Sequence, residues 1–365
     1  MNERVLLYGA TGYTGREVAR KLSKRREGGD QTRIDLVLAG RDARGVRALA
    51  EELKLAWRVF PLTDPFQIEA ALADVAVVLH AAGPFTATAR PMMDACLRQR
   101  VHYLDLCGEW PVFLEAGARD AAATQAGIML MPGVGLSIAA SDCLLAHAVE
   151  RWPDTVRLRL GVSRAEVITR GSIASAARLA GPEVFVRRDG ALVGEPAGKL
   201  THAFDFGDGL RETTAVSWAD VVTGEFSTGV RDIEVYSELG WPARVGYRAS
   251  GLAMGLVGAG PWRRAGKALA TVWPAGPSDE TRREARFVMV VEALDAWRRP
   301  RRLRLRTKDG YTVSVLTAAE AVRRVLEGCF LPGFQTPSRV FGCNFVIDVG
   351  AAELEPPTMA AGTAA

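Results

Sequence analysis

Histidine and paired cysteine are what this sequence has least of. Its four histidines nowhere fall at metal-ligand spacing. Its five cysteines, Cys96, Cys107, Cys143, Cys329 and Cys343, are odd in number and contain no C-x-x-C pair, so neither a zinc site nor a disulfide framework is expected. Thiols of this kind suit a reducing compartment, and a cytoplasmic location is expected. No apolar run reaches the ~18 residues that a membrane span requires. No leader is expected either, because the chain runs from its first residues straight into an apolar, strand-like stretch. An excess of one charge is also missing: 46 Lys and Arg stand against 42 Asp and Glu, a net charge of +4. The basic side chains are spread along the chain, which argues against nucleic acid as a partner. The densest basic run, "RRPRRLRLR", alternates Leu303 and Leu305 with arginines, the pattern of a strand with one solvated face.

A chain of 365 residues exceeds one ordinary core, so two domains are the starting expectation. Over the first 140 residues, apolar strand-like runs alternate with helical patterns. "RVLLYG", "IDLVLAG", "WRVFPL", "VAVVLHAAG", "HYLDLCGE" and "GIMLMPGVG" read as strands with helices between them. Alternation of this kind means crossover units and a parallel, doubly wound sheet. A helix from Ser137 leaves this unit and the rhythm then changes. "EVFVRRDGALVGE" reads as a hairpin about Asp189-Gly190. Strands are expected at "THAFDF", "VRDIEVYSEL" and "RREARFVMVVEALD", giving an α+β domain of mainly antiparallel sheet over 141–350. A strand and then a helix are expected in "DGYTVSVLTAAEAVRRVLEG", and this C-terminal part either stays with the second domain or returns to the first. Residues 351–365 lack a buried pattern and read as a mobile tail.

The clearest chemistry is in "YGATGYTGR", where Gly9, Gly12 and Gly15 follow a strand and open a helix. A side chain at Gly9 or Gly12 would stand between the backbone and a ligand phosphate, and Gly15 permits close packing of helix on strand. Thr11 and Thr14 add hydroxyl donors, and Tyr13 lies between them. Together with the helix's positive end, this is a pyrophosphate site. The next strand ends in "LAGRDAR". Arg41 stands where an NAD binder normally has an acid, and its planar fork suits a 2′-phosphate, so NADP(H) is favoured over NAD. Asp42, just after the arginine, points the other way, toward NAD, or equally caps the helix that follows. Asp64 is open between an adenine neighbour and a cap before Pro65. In "HAAGPF", Ala82, Gly83 and Pro84 leave room at a sheet end, and Gly133 is expected to converge on the same place.

Several segments carry a resemblance. "GATGYTGR", "HAAGPF", "YLDLCGE", "WADVVTGEFSTGVRDIEVY" and "DGYTVSVLTAAEAVRRVLEG" followed by "GFQTPSRVFG" are similar to the saccharopine-dehydrogenase-like proteins, closest to the trans-acting enoyl reductase branch. The resemblance implies a Rossmann domain holding NADP(H), with a second α/β domain that closes over it. It further implies that the Gly9–Gly15 loop holds the pyrophosphate and that Arg41 selects the phosphate. Family members differ in substrate: imines in amino-acid pathways, double bonds in polyketide lipid pathways, or no known reaction.

Hydride transfer needs positioning and a proton donor. Asp105, Cys107 and Glu109 are the candidates, with helix capping or loop packing as their alternative roles. Arg170 and Ser172, in "TRGSIAS", are candidates for holding an anionic substrate group. The apolar and basic stretch across 250–267 admits two readings. It is a membrane-surface contact or acyl-chain entrance, or else a buried or subunit-contact helix that would make a homodimer. Three functions remain open. One is an NADPH-dependent reductase of a carbon–carbon double bond in a lipid-like, carrier- or CoA-bound substrate. The others are an imine reductase and a non-catalytic NADP(H)-binding adaptor.

Overall fold

The computed structural model describes residues 3–24, 34–163, 181–239, 247, 285–356 and 358–359. They form two units: residues 1–139 with 311–341, and residues 140–310 with 342–365.

In the first unit the strand Arg4–Tyr8 (β1) is buried from Val5 onward, as a run with no polar face must be at the centre of a sheet. Around it stand Asp35–Gly40 (β2), Ala56–Val59 (β3), Val77–His80 (β4), His102–Asp105 (β5) and Met129–Met131 (β6). All pairings are parallel, in the order β6-β5-β4-β1-β2-β3. The helices Tyr13–Ser23 (α1), Ala43–Leu53 (α2), Pro65–Leu72 (α3), Phe85–Gln99 (α4), Trp110–Gly117 (α5) and Asp120–Ala126 (α6) connect them. This is the doubly wound sheet expected from the alternating pattern. The order reverses between β1 and β4, so the crevice for a ligand opens there, at the carboxyl ends of the strands.

The chain leaves through the helix Leu136–Arg151 (α7) and returns late. A two-residue strand, Gly333–Phe334, extends the parallel sheet beyond β6. The segment before it is one continuous helix, Gly310–Leu326, not a strand followed by a helix. "TVSVL" alternates for five residues, but the buried positions Val313, Thr317, Ala318, Ala321, Val322 and Val325 recur at three and four, the helical period.

The second unit holds Arg157–Val162 (β7), Glu183–Arg188 (β8), Ala191–Pro196 (β9), Thr201–Asp205 (β10), Leu210–Ala215 (β11), Asp220–Thr228 (α8), Asp232–Ser237 (β12), Phe287–Leu294 (β13) and Pro300–Thr307 (β14). Its sheet runs β10-β11-β12-β7-β13-β14. It is antiparallel except for β12 beside β7, where α8 precedes β12 as a crossover helix. The β8–β9 hairpin turns at Asp189 (φ 48°) and Gly190 (φ 81°), both left-handed, as a primed two-residue turn requires. Ala352–Leu354 pairs with the outer edge of β14, so the expected tail is a strand where it begins. Glu355 explains why, since its carboxylate accepts from Arg304 (2.6 Å) and from Arg306.

One face of this sheet is apolar, with Leu158, Leu160, Val235, Val291, Leu303 and Leu305 buried. The other face carries a row of alternating charge across four strands. Glu234 stands opposite Arg159, Arg159 opposite Glu292, and Glu292 opposite Arg302. Arg159 donates to Glu234 at 2.9 Å and Arg302 to Glu292 at 2.7 Å. His202 of β10 adds a 2.8 Å contact to Glu292. Beside the row, an added Cβ at Gly161 would lie 2.5 Å from the Phe204 ring, so this glycine admits the aromatic residue that covers the face. The arginines of "RRPRRLRLR" are therefore solvated only in part, Arg298, Arg299 and Arg306 being exposed. Arg301, Arg302 and Arg304 are partly buried and pair with Asp154, Glu292 and Glu355.

Candidate functional site

Because the sheet is parallel, the turns after β1, β4, β5 and β6 emerge at one end, and each is latched to a neighbour. Gly9 N–H donates to Ala39 O at 2.8 Å, Ala81 N–H to Tyr8 O at 2.8 Å, and Val134 N–H to Asp105 O at 2.8 Å. Gly9 has φ +88°, and an added Cβ would lie 2.7 Å from the Ala81 and Ala82 backbone. The space that a side chain at Gly9 would need is therefore taken by the turn after β4, and this, rather than a phosphate, is what requires glycine there. At Gly15 an added Cβ would be 2.3 Å from Gly9 O, as expected for a helix packed hard on its strand. Gly12 is different: it is exposed, and an added Cβ would meet nothing closer than Gly9 O at 3.3 Å. It is also the N-cap of α1, with no side-chain hydrogen bond across the cap. The first-turn amides of a helix lack intrahelical acceptors, so this loop presents donors and a positive helix end to solvent.

Thr11 sits at the junction with α2. An added Cβ at Gly45 would lie 3.1 Å from Thr11 Cγ2 and 2.5 Å from Asp42 Oδ2. Asp42 accepts from Gly45 N–H at 3.2 Å and so caps α2. Arg41 and Arg44 are exposed, and neither pairs with a carboxylate among the described residues. The residues fit a phosphorylated dinucleotide, with an open, uncapped loop for one phosphate group and an unpaired guanidinium beside it for another. Asp64 accepts from Phe66 N–H (3.0 Å) and Gln67 N–H (3.2 Å) as the cap of α3. Hydrogen bonding to Gln67 holds its pKa below the usual value.

The three candidates for proton transfer come together, but away from solvent. Asp105 is fully buried. Its Oδ1 accepts from Cys107 N–H (2.8 Å) and Gly133 N–H (2.7 Å), and its Oδ2 accepts from Tyr103 Oη–H (2.7 Å). Glu109 accepts from Phe85 N–H (2.9 Å) and Thr86 N–H (2.8 Å), binding the start of α4 to the turn after β5. The buried Cys107 sulfur accepts from Glu109 N–H at 3.2 Å. Gly133 (φ +84°) is buried, and an added Cβ would lie 2.8 Å from Ile138 and Phe113. Of the fourth turn, Gly83 is exposed, and Ala82 and Pro84 are partly so. Arg170, Ser172 and the 250–267 stretch lie outside the described residues, apart from the latter's neighbour Tyr247.

Burial pushes the Asp105 pKa up to about 7, which gives a pH dependence. In the unfolded chain the group titrates near ~3.9, so between those values the unfolded state sheds a proton that the folded state keeps. This raised-pKa stabilisation is whole below about pH 4 and is lost as pH rises to 7, at ~1.4 kcal/mol per pH unit. Asp220 of the second unit, raised by burial to about 8, follows the same sign. Thermal midpoints should fall from pH 5 to 7. In Asp105→Asn, which keeps an acceptor for both amides and mimics the neutral acid, the slope should be shallower. An unchanged slope would rule Asp105 out as its source.

Two residues here are not evident from sequence patterns. His80, ending β4, is fully buried, with burial lowering its pKa to about 3. Its Nε2 lies 3.0 Å from Thr88 Oγ1, which donates to Ala82 O at 2.6 Å, so the pair holds the fourth turn. Only its place at the end of an apolar run marks it in the sequence. Tyr311, at the start of the returning helix, meets Tyr13 edge to face, with ring centroids 5.1 Å apart.

Residues 5–131 match the family described as saccharopine dehydrogenase NADP binding domain. Within the N-terminal unit, these residues carry the likeness to a saccharopine-dehydrogenase NADP-binding domain. Trans-acting enoyl reductases are similar to this domain. That of Mycobacterium leprae is 34% identical over 137 residues, covering 35% of this chain and 32% of the relative. That of Mycobacterium bovis is 36% identical over 110 residues, covering 29% and 25%. The matched stretch thus spans about a quarter to a third of those relatives' length. The fold is also that of apo saccharopine dehydrogenase (L-Glu forming) from Saccharomyces cerevisiae. There the TM-score is 0.65 at 13% identity, covering 98% of this chain and 100% of the other. Homospermidine synthase from Legionella pneumophila, in complex with NAD, gives 0.62 at 8% identity, covering 97% and 92%. Among the described residues no helix is long and apolar enough to cross a membrane.

Proposed function

We propose that the protein is an NADPH-dependent reductase of a carbon–carbon double bond in a lipid-like acyl intermediate, presented as a thioester. The observation that carries the cofactor half is the exposed, uncapped Gly12 loop followed by an exposed Arg41 that no acid among the described residues neutralises. The names of the N-terminally similar relatives support the enoyl half. NADPH would supply the hydride. Gly12, Thr11 and the first turn of α1 would hold the pyrophosphate, and Arg41 the 2′-phosphate. Asp105, Glu109 and Cys107 would act as positioning residues, since each is buried and fixes a turn at the crevice. Ala82, Gly83 and Pro84 would leave room for the reacting end of the cofactor.

The test is NADPH oxidation with a panel of enoyl thioesters, with keto acid plus amine mixtures alongside. Turnover of an enoyl thioester is the expected result. Turnover of the keto acid mixtures alone would replace this reading with imine reduction, and tight binding with no turnover of any kind would replace it with an adaptor role. In the same assay Arg41→Ala should weaken NADPH binding about 10-fold, the loss of one charge-assisted contact, and leave NADH unchanged. Wild-type protein that binds NADH as well as NADPH would remove Arg41 from the site.

A further inference from the structure

We infer that Tyr311 belongs to the dinucleotide site, forming with Tyr13 an aromatic clamp over the crevice, so that the cofactor domain is completed by a segment some 180 residues downstream of its own last α/β unit. The inference rests on the NADP(H) assignment and adds a residue to it.

The returning helix Gly310–Leu326 is bolted to the turn after β6. Thr317 Oγ1 donates to Val134 O at 2.6 Å, and Leu136 N–H donates to Ser314 Oγ at 3.0 Å. Gly135 allows this approach, since an added Cβ would lie 3.1 Å from Ser314 Oγ. These bonds fix the start of the helix at the carboxyl end of the sheet, at the β6 side. One turn earlier, Tyr311 reaches Tyr13, the first residue of α1, at 5.1 Å and an interplanar angle of 84°. β6 and β1 stand three places apart in the sheet, with β5 and β4 between them. At ~4.8 Å per strand that is about 14 Å. The first turn of the helix and the Tyr311 side chain therefore cross the ends of β5 and β4 to reach β1, and the order of strands reverses between β4 and β1, where ligands of such sheets bind. Both rings are half-buried, and Tyr13 directly follows the exposed Gly12 of the phosphate loop. A ligand on that loop would lie beside Tyr13, against whose ring Tyr311 packs edge to face.

The full-length protein is titrated with NADPH, following binding by calorimetry, for wild type, Tyr311→Ala, Tyr311→Leu and Tyr311→Phe, with unliganded thermal midpoints recorded in parallel. Loss of an edge-to-face pair and of the ring's contact should weaken binding about 10-fold in Tyr311→Ala. Tyr311→Leu, which keeps apolar bulk without a ring and guards against a folding failure, should also lose affinity. Tyr311→Phe should stay within about twofold, because the ring and not the hydroxyl makes the clamp. Wild-type affinity in a folded Tyr311→Ala or Tyr311→Leu protein would overturn the inference while leaving the cofactor assignment standing. Wild-type protein that binds no NADPH would overturn both.

Discussion

Gly15→Ala is expected to destabilise the first unit by about 3 kcal/mol, the upper end of ordinary overpacking. The new methyl would stand 2.3 Å from Gly9 O and 3.1 Å from Ala10 Cα. Both are backbone atoms in a turn already pinned by two amide bonds to Ala39 O, so neither neighbour can swing aside as a side-chain tip would. Relief would move α1 off β1, which carries its own burial cost at Val18 and Leu22. Gly12→Ala is the informative partner. Its methyl meets only Gly9 O, at 3.3 Å, and otherwise projects toward solvent. That variant should keep its thermal midpoint to within a few degrees and lose NADPH affinity, whereas Gly15→Ala should lose the midpoint even without nucleotide. If the two variants melt alike and bind alike, the division of labour between these glycines is wrong.

Glu292→Ala should cost the second unit about 3–5 kcal/mol, the range for removing one member of a buried ionic group. Glu292 is 1% exposed. Burial alone would raise its pKa, but the hydrogen bonds and charges of His202 and Arg302 bring it below the usual value. Its two oxygens serve two partners, Oε2 facing His202 and Oε1 accepting from Arg302. Truncation leaves the largely buried Arg302 guanidinium without its carboxylate. The other half of the row, Glu234 with Arg159 and Arg188, would remain, so the loss should be confined to this unit. Urea unfolding measures it. The double variant Glu292→Leu with Arg302→Leu should recover a substantial part of the loss, since paired apolar replacement removes the charge and its orphan together. A single-variant loss under about 1 kcal/mol would show that the row is solvated after all.

Much of the first sheet was legible because its strands are buried on both faces and its helices on one. The glycine turn between β1 and α1 was legible for the same reason, since strand, glycines and helix occur in one short stretch. What could not be read was anything set by contact between distant segments. Asp105 and Glu109 look alike in "LDLCGE", yet one binds the turn at Gly133 and the other the start of α4, and nothing local distinguishes those partners. Tyr311 lies far from Tyr13 in the chain, and nothing in "DGYTVSVL" names its partner. "TVSVL" imitates a strand because five residues cannot separate a period of two from one of 3.6 when Val and Ser fill them. The arginines of β14 imitate a solvated face because their acids come from β13, from Asp154 and from Glu355.

The chain order of the first unit has a consequence during synthesis. Once the first 139 residues have left the ribosome, six strands of the parallel sheet are free to pair, but the outer edge of β6 stays open until Gly333–Phe334 emerges. Until then Val134 O also lacks the Thr317 hydroxyl. At the usual ~5–20 residues per second, that edge waits at least 10 seconds, long enough for it to template pairing with another nascent chain. The strands of the second unit from β7 to β14 are made during that wait, and its edge strand Ala352–Leu354 follows last of all. The cofactor domain is begun before most of the other unit and closed after it.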